Sequence, residues 1–128
     1  MPKFQKHADQ PYDGAIWRAL RSKAGLGSTV YAKRLSDLSG YRVSREHISG
    51  YEKGERLIPD ALIEASARIF SETLGNIDPM LFPEYASRQF SAAVAMDGAK
   101  ARQFVAYTQK FASQRKELFT TGTQLAKA

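Results

Sequence analysis

The sequence of 128 residues contains no cysteine and only two histidines, His7 and His47. The absence of cysteine excludes disulfides, thiolate nucleophiles and cysteine-based zinc or iron–sulfur sites, and two histidines do not predict a metal cluster. Long apolar runs are missing too: no segment approaches a membrane span, and the N-terminal MPKFQKHADQPYDG lacks the apolar stretch of a signal peptide. We therefore expect a soluble, cytoplasmic protein that binds no metal, cofactor or membrane.

The composition is typical of a folded globular domain. Hydrophobic residues make up 43%, charged residues 25% and aromatic residues 11%, unlike the polar, highly charged composition of disordered chains. The length suits one compact domain with an appended helix. No stretch alternates convincingly between apolar and polar residues, whereas apolar residues recur at helical spacing, so we predict an all-α fold.

The charge is positive and unevenly distributed. The net charge of +6 divides into +5 over residues 1–59, −4 over residues 60–84 and +5 over residues 85–128. Two basic blocks flanking an acidic middle favour a polyanionic partner, although randomly scattered surface charge is the alternative. Charge alone therefore identifies no partner without a supporting motif.

The sequence predicts a short arm, then four helices and, after a turn, two more. Residues 1–13 contain two prolines and no sustained period, which indicates a flexible arm. The helices are AIWRALRSKA, ended by Gly25; VYAKRLSDLS, preceded by Ser28-Thr29 and ended by Gly40; REHISGYEK, between Ser44 and Gly54; and ALIEASARIFSETL, between Pro59-Asp60 and Gly75. After the turn-forming NIDPMLFPE come YASRQFSAAVAM, AKARQFVAYTQKFASQRKELF and a polar tail, TTGTQLAKA.

The second and third predicted helices form a recognisable motif. Two helices joined by a short turn, the second starting at a serine cap, place one helix across a DNA backbone and the next in the major groove. The stretch LRSKAGLGSTVYAKRLSDLSGYRVSREHISGYEKGERLIP resembles the Cro/C1-type (XRE-like) helix-turn-helix family of phage and bacterial repressors. Its most specific elements are Val43-Ser44, Ile48-Ser49, Glu52-x-Gly54, Arg56 and Pro59.

The resemblance covers residues 14 to about 75 and implies both a fold and a function. The implied fold is a lambda-repressor-like helix-turn-helix domain of four to five helices, over residues 14–83. The implied function is sequence-specific binding of double-stranded DNA by a transcriptional regulator, a repressor that binds an inverted-repeat operator as a homodimer. Residues 84–128 are then predicted to be a C-terminal helical region for dimerisation.

The third helix supplies the predicted base contacts. The spacing of Ile48 and Tyr51 holds this helix on the core and leaves its other positions facing outward. Arginine can pair with guanine, glutamate can accept from cytosine, serine can bond several base edges, and glycine permits close backbone approach. The candidates are Arg45, Glu46, Ser49 and Gly50, and the resemblance points to Arg45, Glu46 and Gly50 among them. An exposed Arg45–Glu46 surface pair is the alternative.

Contacts to the DNA backbone are predicted at helix N-termini and nearby cations, because backbone N–H groups and positive side chains bind phosphate. The candidates are Ser28, Thr29, Lys33, Arg42, Ser44, Lys53 and Arg56. For each of these cations, the alternative to a phosphate contact is an ordinary solvated surface charge. The chain departs from many relatives in having Ser28 in place of glutamine, and in the long SDLSGYRVS connection.

Three further positions, Arg21, Glu52 and His47, have alternative interpretations. The resemblance implies a buried ion pair between Arg21 and Glu52 that ties the first helix to the end of the third, whereas exposure of both residues is the alternative. His47 is equally well interpreted as a packed residue, a solvent-facing residue or a DNA contact, and no metal role is assigned to it.

The C-terminal third carries an apolar stripe. Phe104, Phe111 and Leu118 repeat at seven residues, as do Val105, Ala112 and Phe119. The stripe packs either on the protein's own helices or on a second subunit. Because a repressor that binds two half-sites must be a two-fold dimer, packing on a second subunit is favoured. The predicted dimerisation residues are Phe104, Val105, Phe111, Leu118 and Phe119.

No enzymatic site is predicted. Gly25-x-Gly27-Ser28 lacks the third glycine, the lysine and the preceding strand of a phosphate loop. Glu52 and Glu55 lie close in sequence, but no nucleophile or apolar pocket accompanies them. The competing function is a helical adaptor or antitoxin-like protein that binds a protein through the C-terminal helices, because a fold does not fix a function.

Overall fold

The computed structural model describes residues 11–96 and 98–127, and the regular structure of these residues is entirely helical, as predicted for an all-α fold. The first ten residues of the predicted arm lie outside the described part. The helices are α1 (Asp13–Lys23), α2 (Ser28–Ser39), α3 (Arg45–Glu52), α4 (Asp60–Leu74), α5 (Pro83–Met96), α6 (Gly98–Gln109) and α7 (Ala112–Lys127), with a 3-10 turn at Pro79–Leu81.

The ends of the first four helices follow local signals. Gly40 ends α2 with a φ of +82°, a left-handed conformation that glycine adopts without strain. Ser44 caps α3, but α2 begins differently from the prediction, because Gly27 is its N-cap and Ser28 is its first helical residue. The segment of α3 is eight residues long, shorter than the predicted REHISGYEK.

The core forms where α1, α2 and α4 meet. Large side chains from all three helices are fully buried there: Ile16, Trp17, Tyr31, Leu35, Ile63 and Phe70. The rings of Tyr31 and Phe70 stack at 5.3 Å between centroids, and those of Trp17 and Tyr31 meet edge to face at 5.1 Å. Burial of these side chains is the main stabilising contribution to the three-helix junction.

One buried hydroxyl satisfies the polar groups of this core. Ser66 Oγ accepts hydrogen bonds from Trp17 Nε1 at 2.5 Å and from the Tyr31 hydroxyl at 2.8 Å, and it donates to the Leu62 carbonyl at 2.6 Å. The Ser66 side chain therefore links α1, α2 and α4, and it lets Trp17 and Tyr31 be buried without an unpaired donor.

The C-terminal region differs from the prediction. The single helix predicted over residues 99–119 is two helices, because the chain turns at Lys110–Phe111, where Phe111 N–H donates to the Thr108 carbonyl at 3.1 Å. The last helix also extends beyond its predicted end at Phe119, since α7 continues through the polar TTGTQLAKA segment to Lys127. The turn directs α7 back onto α1, which buries side chains that one continuous helix would carry away from the core.

The packing of α7 on α1 is close. A Cβ atom at Gly122 would lie 2.0 Å from the Ala15 carbonyl oxygen, and Leu118 is 2% exposed within the core cluster. The predicted division between residues 14–83 and 84–128 therefore does not separate two packing units, because α7 completes the surface of α1.

The last residue of the predicted arm is a buried carboxylate. Asp13 starts α1 and is 0% exposed; its N–H donates to Glu84 Oε1 at 3.0 Å, and its Oδ1 accepts from Glu84 N–H at 2.8 Å. Its Oδ2 is buried without a hydrogen-bond partner. Burial, followed by repulsion from Glu84, raises the pKa of Asp13 to about 7. The arm prediction is therefore wrong at Asp13, which joins α1 to the start of α5.

Candidate nucleic-acid interface

The connection between α2 and α3 is held by the side chain of Ser36. Its Oγ donates to the Ala32 carbonyl at 2.8 Å and accepts from Val43 N–H at 2.9 Å. Val43 is buried, which fixes the end of this connection on the core. The long SDLSGYRVS segment thus contains the last four residues of α2 followed by a five-residue turn, residues 40–44, that sets the direction of α3.

The start of α3 is capped by a reciprocal pair. Ser44 Oγ accepts from His47 N–H at 3.2 Å, and His47 Nδ1 accepts from Ser44 N–H at 3.1 Å. This is a capping box in which histidine takes the place usually held by glutamate or glutamine. His47 is therefore a structural residue of the helix start, a role that the Ser-x-x-His spacing could have indicated.

The end of α3 is held by ionic contacts to α1. Glu52 accepts from Arg21 Nε at 2.7 Å and Nη2 at 2.9 Å, and the Glu52 side chain is 3% exposed. Arg18 Nε, one turn earlier, also donates to Glu52 at 3.2 Å. The hydrogen bond to Glu52 is the largest factor raising the pKa of Arg21. The predicted Arg21–Glu52 pair is present, and Arg18 is a second partner that the sequence did not indicate.

The two helices also approach each other closely through glycine. A Cβ atom at Gly14 would lie 1.9 Å from the Tyr51 carbonyl oxygen, so any side chain at this position would push α3 away. Ile48 is 1% exposed and faces the core. These contacts fix one side of α3 and leave its other side for solvent.

The exposed side of α3 carries most of the predicted base-contacting residues. Arg45 and Glu46 are exposed and Ser49 is half-buried. A hydrogen bond from its own backbone N–H is the main cause that lowers the pKa of Glu46, and the Ser44 side chain adds to it. The prediction that Gly50 faces outward is wrong. Gly50 is buried because the Arg56 side chain lies across it, with Arg56 Cδ 3.4 Å from the position that a Cβ atom on Gly50 would take.

The cations around α3 fall into two groups. Arg42, Arg45, Lys53 and Arg56 are exposed, and no ion pair engages them in the described part of the chain. The cations of α2 are paired: Lys33 with Asp37 at 3.2 Å, and Arg34 with Glu72 of α4 at 2.7 Å. The uncompensated charge therefore lies around α3 rather than along α2.

The predicted hydroxyl contacts lie at two helix starts. Thr29 is exposed and Ser28 is half-buried in the first turn of α2. Ser44 is half-buried, with its hydroxyl engaged in the cap of α3. At the start of α2, where no N-cap side chain engages them, backbone N–H groups can donate to an anion, as at helix N-termini generally. At the start of α3 the N–H groups of Ser44 and His47 are already engaged in the capping box.

The predicted dimerisation residues are mostly engaged within the chain. Leu118 is buried in the core, which rules it out as an interface residue of this fold. The Phe104 ring lies 5.8 Å from that of Phe90, the Phe119 ring lies 6.0 Å from that of Tyr12, and Phe111 packs against the core cluster. Val105, at 37%, is the exposed member of the predicted set.

Metal sites and membrane-spanning helices are absent from the residues that the structure describes. These residues contain no group of three or more histidine, aspartate or glutamate side chains suited to hold a metal ion. In the described part of the chain, no helix has the combined length and apolar character required to cross a bilayer. The exposed cations on and beside α3 have no carboxylate partner within ion-pair distance among the described residues. Comparison of the chain with protein-family models, curated proteins and solved structures finds no match.

Proposed function

We propose that this protein is a sequence-specific double-stranded-DNA-binding transcriptional regulator, a cytoplasmic repressor that binds an inverted-repeat operator as a homodimer. In this proposal α2 and α3 are the helix-turn-helix of a lambda-repressor-like, Cro/C1-type domain. The order of α1 to α4 and the Ser44 cap support the assignment. So do the positions of Glu52 at the end of α3 and of Arg56 and Pro59 after it.

The observation that carries the proposal is the exposed basic surface around α3. Arg42, Arg45, Lys53 and Arg56 have no carboxylate partner among the described residues, while Arg21 and Arg18 are engaged with Glu52. Exposed cations on and beside a rigidly held helix attract the DNA backbone and release counterions on binding. Arg45 and Glu46, at the first two positions of α3, would read base edges.

Dimerisation would use a separate surface of the chain. Two half-sites require two copies related by a two-fold axis. Val105 and Val94, which are 37% and 49% exposed on α6 and α5, provide apolar surface for such a contact. The same surface favours the competing function, an adaptor that binds another protein through its C-terminal helices.

The decisive experiment is selection of bound fragments from random double-stranded DNA, followed by fluorescence anisotropy on the enriched sequence. We expect an inverted repeat bound at sub-micromolar protein, with affinity falling steeply as salt rises. Enrichment of no sequence, with only weak binding independent of sequence, would favour the adaptor function. Sedimentation equilibrium at tens of micromolar protein separately tests the dimer, with Val105→Asp as the variant and Thr120→Asp, also exposed, as its control.

A further inference from the structure

An open cavity of about 260 Å³ lies between α5, α6 and α7, away from α3. Its walls are largely apolar, and the Phe90 and Phe104 rings lie 5.8 Å apart in them. The volume is close to the lower end, about 300 Å³, of sites that bind small molecules. The residues that matter for ligand chemistry are Ala86, Ser87, Phe90, Phe104, Thr108 and Arg115.

Arg115 supplies the charge of this cavity. Its Nε donates to the Leu81 carbonyl at 3.0 Å, and its Nη2 donates to the Met80 carbonyl and the Thr108 hydroxyl. These acceptors are uncharged, and among the described residues no carboxylate lies within ion-pair distance of the guanidinium. Burial lowers the pKa of Arg115, and the more distant Asp13 acts in the opposite direction. The Arg115 charge is thus held beside apolar walls with little compensation.

We infer that this cavity binds a small molecule with an apolar body and one carboxylate group, which pairs with Arg115. A partly desolvated guanidinium without an anionic partner gains most from a carboxylate, because charge-assisted hydrogen bonds are among the strongest in proteins. The aromatic and aliphatic walls favour an apolar body over a phosphate or sugar. The Met80 and Leu81 carbonyls hold Arg115 in place, so the charge is positioned before the ligand arrives.

The probes are octanoate and its neutral analogue octanamide, titrated calorimetrically into the full-length protein below the concentration at which octanoate forms micelles. We expect saturable binding of octanoate at one site and binding of octanamide about tenfold weaker or more, the loss of one charge-assisted interaction. Amide NMR shifts should change in α5, α6 and the start of α7 rather than in α3. Equal affinity for the two probes, or no saturable binding of octanoate, would overturn the inference.

Two exposed serines on α5 provide a matched pair of variants. Ser87 lines the cavity, whereas Ser91, one turn later, does not line it. Ser87→Glu places a competing carboxylate at the rim and should weaken octanoate about tenfold. Ser91→Glu adds the same charge and should leave the affinity unchanged. A similar loss in both variants would show that octanoate binds elsewhere or by overall charge, and would contradict the proposed site.

Arg115→Gln tests the guanidinium directly, with circular dichroism to verify folding, because Arg115 also holds two backbone carbonyls. We expect octanoate and octanamide to bind this variant equally. If octanoate fails to bind the natural chain and Ser87→Glu dissociates a dimer in sedimentation equilibrium, the cavity is closed by a second copy and the inference is wrong. No nucleic acid is present in these titrations, so their outcome is independent of DNA binding itself. Val105, which the proposed dimer uses, also lines the cavity, and sedimentation equilibrium separates occupation by a second copy from binding of octanoate.

Discussion

A Cβ atom placed on Gly122 would lie 2.0 Å from the carbonyl oxygen of Ala15, so α7 can approach α1 this closely because residue 122 has no side chain. The contact makes the C-terminal helix part of the packing of the first helix. Removal of α7 would uncover the α1 surface and delete buried Leu118. A fragment that ends before α7 is therefore a poor test of dimerisation, since its folding is also affected.

Replacement of Gly122 by alanine should destabilise the protein. The added methyl group must push α7 from α1, and overpacking of this kind costs about 1–3 kcal/mol, only partly offset by the better helix propensity of alanine, about 1 kcal/mol. Urea denaturation followed by circular dichroism measures the change. Thr120→Ala, at an exposed position of the same helix, should alter stability little. Equal stability of the two variants would mean that α7 does not pack as described.

Glu52→Gln should lower the free energy of unfolding by about 3 kcal/mol, because it leaves two guanidinium groups without their buried carboxylate. Glu55→Gln, at an exposed position three residues later, is the matched control and should change stability by less than about 0.5 kcal/mol. Chemical denaturation of the natural chain and of the two variants measures the free energies of unfolding to be compared. Similar small effects in both variants would show that the Glu52 contacts contribute little.

The first four helices were predictable because their signals are local. Gly40 and Ser44 mark helix ends through their own backbone and side-chain preferences, whatever the rest of the chain does. The C-terminal helices were not predictable in the same way. Phe104, Phe111 and Leu118 keep a seven-residue spacing across the break at residues 110–111, so the periodicity does not reveal the turn. Nor does an apolar stripe reveal whether it packs on its own chain or on another.

The burial and exposure of the candidate residues were predictable where they depend on helix periodicity and were missed where they depend on tertiary contacts. The exposure of Arg45 and Glu46 follows from the buried position of Ile48. Gly50 was wrongly placed outward because Arg56, beyond the end of α3, folds back over it. Arg18 was missed because the approach of α1 to Glu52 is set by tertiary packing.

Under the proposed function, Arg45 and Lys53 should affect DNA binding differently. Arg45→Ala should cost about 1–3 kcal/mol on the preferred operator and relax selectivity at one base pair, because it removes a base contact. Lys53→Ala should weaken all sequences alike and reduce the slope of log affinity against log salt by about one unit. Anisotropy titrations on operator and scrambled DNA at several salt concentrations separate the two effects. The reverse pattern would mean that α3 is oriented differently on DNA.

Asp13 should make stability depend on pH. Because its pKa is about 7 in the folded protein against 3.8 ordinarily, the folded state holds a proton that the unfolded chain has released between these values. The free energy of unfolding should therefore fall as pH rises through this window, by about 2 kcal/mol between roughly pH 5.5 and 8. Asp13→Asn should remove this dependence, whereas exposed Asp37→Asn should retain it. A natural chain equally stable at both pH values would contradict the expectation.

Ser66→Ala should destabilise the core by about 1–3 kcal/mol per donor left unpaired, because Trp17 Nε1 and the Tyr31 hydroxyl both lose their acceptor. Ser22→Ala, at an exposed position of α1, provides the control. Thermal denaturation by calorimetry measures both. A loss no larger than that of the control would indicate that other groups or water replace the Ser66 hydroxyl.

The place of Trp17 at this three-helix junction also makes it a built-in optical reporter. It is the single tryptophan of the chain, fully buried, with its indole N–H engaged by Ser66. Its emission therefore arises from one environment, shaped by α1, α2 and α4 together. Separation of any of these helices would admit water to the indole and shift the emission to longer wavelength. Opening of the junction can thus be followed in real time without any attached dye.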